Sequence, residues 1–235
     1  MNVALWCMRI IRWGFYLLFA LVPLLFTPWN YELFEFNKMI GVYMLTIIIT
    51  GAWMVKSITQ REFHVARTPL DIPIALFVSS QLVSSLFSMD PHVSWFGYYS
   101  RFNGGMFSII SYVLLYYAYV SNLKDDSGIK NLKVVLGSGA IVALYGVLER
   151  LGVDKNLWVQ DVQNRVFSSL GQPNWLAAYL VAILPISLAF GLKKYLWFGV
   201  SVLFFVVLLF TRSRSGLLGF AVADVVFWGL VFLKT

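Results

Sequence analysis

Eight apolar runs follow one another through this sequence, at 13–28, 39–55, 70–87, 105–120, 132–148, 174–192, 195–210 and 215–233, with short polar stretches between them. A helix that crosses a bilayer needs roughly 20 mostly apolar residues. The pattern therefore predicts an all-α, polytopic integral membrane protein with about eight transmembrane helices. Eight crossings take up about 160 residues and leave about 75 of the 235 for every loop and both tails. A single transmembrane domain over 1–235 follows, and a folded soluble domain within it, whether kinase or nucleotide-binding cassette, is excluded. Composition agrees: 60% of residues are hydrophobic and 12% charged, against about 25% charged in soluble domains. Chemistry is then confined to helix ends and short loops.

The net charge of +7 would suggest nucleic acid in a soluble protein. Here most Lys and Arg flank apolar runs, where they act as topology signals and anchors to lipid phosphates, so membrane lipids rather than nucleic acid are the expected partners. Alternate-side counting puts 11 of the 18 Lys and Arg on the side of the N-terminus, including Lys124 and the Lys193-Lys194 pair. That bias predicts an N-in, C-in, multi-pass topology. Arg9 and Arg12 precede the first run, which ends without a small-x-small cleavage pattern and reads as an uncleaved signal anchor. Cys7 is the single cysteine, which excludes internal disulfides and Cys-based zinc sites. No carboxylate pair or His cluster has metal-ligand spacing, and neither a metal nor a cofactor is expected.

On this topology the outward loops are 29–38, 88–104, 149–173 and 211–214, and they carry an excess the rule does not anticipate: Arg101, Arg150, Arg165, Arg212 and Arg214. Guanidinium is permanently charged and grips phosphate oxygens with a planar fork, so such a cluster at headgroup depth suits a lipid-linked phosphate or pyrophosphate. Snorkelling anchors that only touch headgroups are the plainer reading. The stretch Arg165-Val-Phe-Ser-Ser-Leu-Gly-Gln-Pro-Asn174 is the most informative. Gly171 permits a tight turn, Pro173 suits a first helical turn, and the free amides of the new helix favour an anion. Thr211-Arg212-Ser213-Arg214-Ser215-Gly216 forms a second motif between the last two runs, with hydroxyls placed to hold the Arg forks or share a phosphate. An ordinary loop-to-helix junction and a polar reverse turn are the respective alternatives.

Together these segments resemble the core signature of the O-antigen ligase, O-antigen polymerase and pilin oligosaccharyltransferase superfamily. Its pattern is an Arg, then Gly-Asn-Pro-Asn, and later Thr-x-Ser-Arg-Gly. The upstream Trp-Phe-Gly-Tyr-Tyr-Ser-Arg-Phe-Asn-Gly-Gly at 95–105 is similar to a further family segment, and the likeness covers about 70–225. The resemblance implies a membrane glycosyltransferase of polysaccharide or lipopolysaccharide biosynthesis in the bacterial inner membrane. Such an enzyme takes an undecaprenyl-diphosphate-linked oligosaccharide donor and transfers the glycan, on the periplasmic face, to lipid A core, a growing polysaccharide or a pilin. Carried over residue by residue, Arg165 and Arg214 match the arginines expected to hold the donor pyrophosphate, with Arg212 beside them and Arg101 a weaker match. Asn174 matches the second Asn of Gly-Asn-Pro-Asn, and Gln172 stands where the first is usual. Gly171, Pro173 and Ser213 complete the motifs.

In that family a long periplasmic loop with a functional His and further spans follow the hairpin. Neither His64 nor His92 matches it, so no catalytic base is assigned. The sequence then reads as the N-terminal portion of a family member, with a separately encoded C-terminal half or other glycan-assembly proteins as partners. Asp224 lies about 13 Å down the last run at 1.5 Å per residue. There a charge costs roughly 2.5–3.5 kcal/mol by insertion scales, so Asp224 should be neutral, paired or facing a polar cavity, as a packing residue with a partner or else on a proton or ion path. Two alternatives compete with the enzyme: a transporter or channel subunit using Asp224 and Gln81, and a noncatalytic membrane partner. The transporter predicts an internal repeat, and the sequence has none.

Overall fold

The structure, a computed structural model, describes residues 3–27, 29, 32–123 and 125–234. Pro28, Lys124, Thr235 and the side chain of Lys234, which figure in the run ends and the charge count, lie outside it. The described residues are helical or in turns, with no strand. The helices are α1 (Val3–Leu21), α2 (Glu35–Gln60), α3 (Asp71–Leu86), α4 (Pro91–Phe96), α5 (Met106–Asn122), α6 (Asp125–Arg150), α7 (Pro173–Gly191), α8 (Leu196–Phe210) and α9 (Arg214–Lys234). Each apolar run falls on its own helix, the first continuing past α1 into the 3-10 turn Val22–Leu24, and the six-residue α4 sits in the 88–104 loop.

This is a helical membrane protein. Five segments are long and apolar enough to cross a bilayer: Val3–Leu24, Glu35–Gln60, Ser127–Arg150, Pro173–Gly191 and Arg214–Leu233. The other three, Asp71–Leu86, Met106–Asn122 and Leu196–Phe210, have 16, 17 and 15 residues. They fall short of the roughly 20 that a crossing normally takes, so the expected eight spans reduce to five of full length. The run ends also move. Helix α1 begins at Val3, ten residues before the first run, because 3–12 is itself apolar apart from Arg9 and Arg12. Helix α6 continues through Glu149 and Arg150, so these two residues belong to a helix end and not to the outward loop.

The chain divides into two compact units, Met1–Asn131 and Leu132–Thr235. In the first, Cys7, Ile11 and Phe15 line one stripe of α1 and pack on Met39, Val42, Ile49 and Trp53 of α2 and Leu115 and Ala118 of α5. Gly14 makes this possible: a Cβ there would lie 2.6 Å from the Ile49 side chain. Membrane helices approach closely through small residues because lipid offers no hydrophobic drive to pull them together. The two ends of the unit are tied by polar contacts. Tyr43 donates to the Phe102 carbonyl (2.9 Å) at one, and Lys56 Nζ to Asn122 Oδ1 (2.8 Å) at the other.

The second unit repeats this device. Cβ atoms at Gly139 and Gly146 of α6 would meet Ile183 at 2.5 Å and Val207 at 3.0 Å, so glycine lets α6 lie against α7 and α8. The core is Leu136, Val142, Leu176, Leu180, Phe204, Val207 and Leu208, and the buried hydroxyls of Ser187 and Ser201 meet at 2.7 Å between α7 and α8. Phe220 of α9 stacks obliquely on Phe205 of α8, with centroids 4.9 Å apart.

Candidate anion-binding site

At one end of the second unit the two arginine motifs come together. Arg165 Nε donates to the Thr211 carbonyl at 3.1 Å, and its Nη2 reaches Asn174 Oδ1 at 3.4 Å. The Val166 amide donates to the Phe210 carbonyl at 3.3 Å. One arginine therefore spans the 165–174 loop and the 211–214 hairpin. Gly171, with φ of +78°, closes the turn after the 3-10 segment Ser168–Leu170, and Pro173 is the first residue of α7.

The hairpin uses its hydroxyls differently from expectation. Thr211 Oγ1 donates to the Leu208 carbonyl (2.7 Å) and accepts from the Ser213 amide (3.2 Å), while Ser213 Oγ accepts from the Gly216 amide (3.2 Å). Thr211 and Ser213 thus close α8 and cap α9, because buried helix-end groups must find partners. The group that holds Arg165 is the Thr211 carbonyl. Ser215 Oγ lies 3.2 Å from Ser213 Oγ.

Arg212 and Arg214 are exposed, and neither meets a carboxylate among the described residues. They stand where α7 and α9 begin side by side: a Cβ on Gly216 would lie 2.6 Å from Ala177 Cβ. Helix N-termini carry partial positive charge, so the dipoles and the guanidinium groups add. Below them runs a groove of about 350 Å³, lined by Asn174, Ala178, Val181, Ala182, Ser215, Gly216 and Gly219. Its walls are mostly small and apolar.

Backbone strain gathers in the same segments. Four described non-glycine residues have positive φ, and Phe102 (53°), Ser168 (53°) and Arg212 (50°) fall in the three motif segments, the fourth being Arg61 (56°) at the end of α2. Left-handed backbone costs an L-residue roughly 1–2 kcal/mol, and such strain persists where the surroundings over-determine it, often at functional sites.

Arg101 belongs to the first unit, where its Nε pairs with Glu35 Oε2 at 3.2 Å. Its loop is closed by glycine: Cβ atoms at Gly97 and Gly105 would lie 2.4 Å from the Asn103 carbonyl oxygen and 2.2 Å from the Gly97 amide nitrogen. His92 stacks on Phe96 with ring centroids 5.0 Å apart. Asp224 meets no basic side chain among the described residues.

Sequence reasoning missed Glu149. Its side chain is 0% exposed, and its Oε2 accepts from the Phe167 amide (3.0 Å) and the Ser168 amide (2.7 Å) inside the first arginine motif. The neighbouring Asp154 is also buried and accepts from Tyr145 OH and Trp158 Nε1, both at 2.7 Å. Trp158 in turn meets Phe167 edge-on at 5.5 Å. Arg150 turns away from Glu149: Nη1 donates to the Gln163 carbonyl and the guanidinium lies over Phe210. Set against protein-family models, curated proteins and solved structures, the chain finds no match in any of the three.

Proposed function

We propose that this chain binds a polyprenyl-diphosphate-linked glycan at the end of its second unit, as a membrane glycosyltransferase resembling the O-antigen ligase, O-antigen polymerase and oligosaccharyltransferase superfamily. The observation that carries the reading is the convergence of Arg165, Arg212 and Arg214 on the paired starts of α7 and α9, with no carboxylate beside Arg212 or Arg214 among the described residues. A diphosphate supplies the missing negative charge and accepts charge-assisted hydrogen bonds from planar forks. The groove between α7 and α9 suits the start of the polyprenyl chain. Eight crossings in an N-in, C-in arrangement, with the three short helices included, would put this end on the periplasmic side of the inner membrane.

In the reaction an acceptor hydroxyl attacks the anomeric carbon, the bond from that carbon to the diphosphate oxygen breaks, and polyprenyl diphosphate leaves. Charge grows on the departing oxygen, and fixed guanidinium groups stabilise it. The hydroxyl proton goes to a base outside the residues assigned here. The test is binding of undecaprenyl diphosphate and of undecaprenol to the protein in nanodiscs. Hydrogen bonds to charged groups contribute about 1.5–3 kcal/mol each. Arg165→Ala with Arg214→Ala is therefore expected to weaken diphosphate binding at least about 100-fold and leave undecaprenol unchanged. Retained diphosphate binding in the double variant refutes the reading.

A further inference from the structure

We infer that Glu149 is the positioning residue of the arginine loop: it holds Ser168 in a strained conformation that sets where the Arg165 guanidinium stands. This rests on the donor-site reading for its purpose, but its geometry stands apart from any ligand.

Helix α6 grips Ser168 at two points. Glu149 Oε2 takes the Phe167 and Ser168 amides, and the Val142 carbonyl, two turns earlier on the same face, takes the Ser168 hydroxyl at 2.7 Å. Between them Gly146 faces the loop and α8, where a Cβ would be in ordinary contact with Ser168 Cβ at 3.8 Å and crowded against Val207 at 3.0 Å. Ser168 is 0% exposed and has φ of +53°. Without these bonds a serine would relax to negative φ. The change would propagate through Phe167 and Val166 to Arg165, three residues away. The 165–168 segment is thus fixed to α6 at one side and, through Val166 and Arg165, to the 210–211 carbonyls at the other.

Glu149 Oε1 is buried and has no hydrogen-bond partner among the described residues. A bare carboxylate oxygen in an apolar interior is costly, and an amide would accept the same two bonds. Natural proteins tolerate such breaches of local rules mainly at functional sites. Fixed donors aimed at a site where charge develops need this rigidity, because reorganisation at the moment of reaction forfeits their advantage.

The ligand-free test is the rate at which phenylglyoxal modifies each arginine in the nanodisc-held protein, read by peptide mass spectrometry. Glu149→Leu is expected to raise the Arg165 rate at least about fivefold, with Arg212 and Arg214 within about twofold, while Glu149→Gln, which keeps the acceptor, restores the wild-type rate. If Glu149→Leu does not fold, Ser168→Ala removes the Val142 bond and should give the same Arg165-selective rise. An unchanged Arg165 rate in the folded variants, or an equal rise at all three arginines, overturns the proposal. A second arm uses undecaprenyl diphosphate: Glu149→Leu added to Arg165→Ala should cost no further affinity, because both act through one guanidinium. Additive losses overturn the positioning role. Absence of wild-type binding would refute the donor reading alone and leave the modification result to decide on Glu149.

Discussion

The arginine loop of the first unit meets an internal carboxylate, and among the described residues that of the second does not. Arg101 has Glu35, Lys38 Nζ donates to the Leu25 carbonyl at 2.7 Å, Lys56 has Asn122, and Asp71 accepts from Thr68 and Tyr117. In the second unit Arg212, Arg214 and Asp224 meet no opposite charge, and Glu149 and Asp154 each bury an oxygen without a partner, all among the described residues. The two arginine loops otherwise look alike, each bent by left-handed glycines and each running into an apolar helix. Polar groups at membrane depth are expensive unless satisfied. A loop arginine held by an internal carboxylate serves the scaffold, and arginines without one are open to an anion from outside.

The largest expected effect tests the scaffold. Gly105 has an ordinary φ of −88°, but its Cβ would sit 2.2 Å from the backbone of Gly97, which cannot move aside. Gly104 has φ of +83° and nothing within 4 Å of its would-be Cβ. Gly105→Ala is a pure contact error and should destabilise the first unit by about 3 kcal/mol, as overpacking does at its upper end. Gly104→Ala is a pure conformational one and should cost about 1 kcal/mol. Thermal or denaturant unfolding in detergent checks the ranking. Equal effects would mean that the loop is not closed as described.

The next tests openness by abolishing it. Asn174 Oδ1 already lies 3.4 Å from Arg165 Nη2, so Asn174→Asp copies the Arg101–Glu35 pair into the second unit without changing shape. Acid in the first turn of a helix complements the dipole, so α7 should gain a few tenths of a kcal/mol. Undecaprenyl diphosphate, competing with an internal carboxylate, should lose about 2 kcal/mol, or roughly 30-fold. Stability and binding therefore move in opposite directions. Parallel losses would show that Asn174 matters to the fold and not to the site.

How much of this could be read in the sequence divides along the same line. Apolar runs located eight helices, because burial in lipid imposes one composition on them, but they did not show that three, at 15–17 residues, fall short of a full crossing. Their ends were misplaced where polar residues continue a helix, as at Arg9, Arg12 and Glu149, since a helix in lipid snorkels its charged ends and does not stop at them. The arginine motifs were legible as segments, but their pairing was not. Arg101 and Arg165 present the same local pattern, and only the fold brings Glu35 to one and the Thr211 carbonyl to the other. Glu149 was invisible for a similar reason. An acid after an apolar run reads as the start of a loop, and its two amide donors lie on the far side of a turn.

The smallest effect separates the two readings of an outward arginine. Glu35→Gln removes the carboxylate beside Arg101 and tests whether that pair is what distinguishes the two arginine loops. The pair is half exposed on the arginine side, 47%, so its loss should cost less than about 1 kcal/mol of stability. Affinity for undecaprenyl diphosphate should stay within about twofold, because a site also needs what the second unit adds: two further arginines, paired helix starts and a groove. A marked gain in affinity would mean that an arginine relieved of its carboxylate binds the diphosphate without those features, which is the snorkelling reading. A marked loss would put Arg101 itself in the site and dissolve the contrast between scaffold and site.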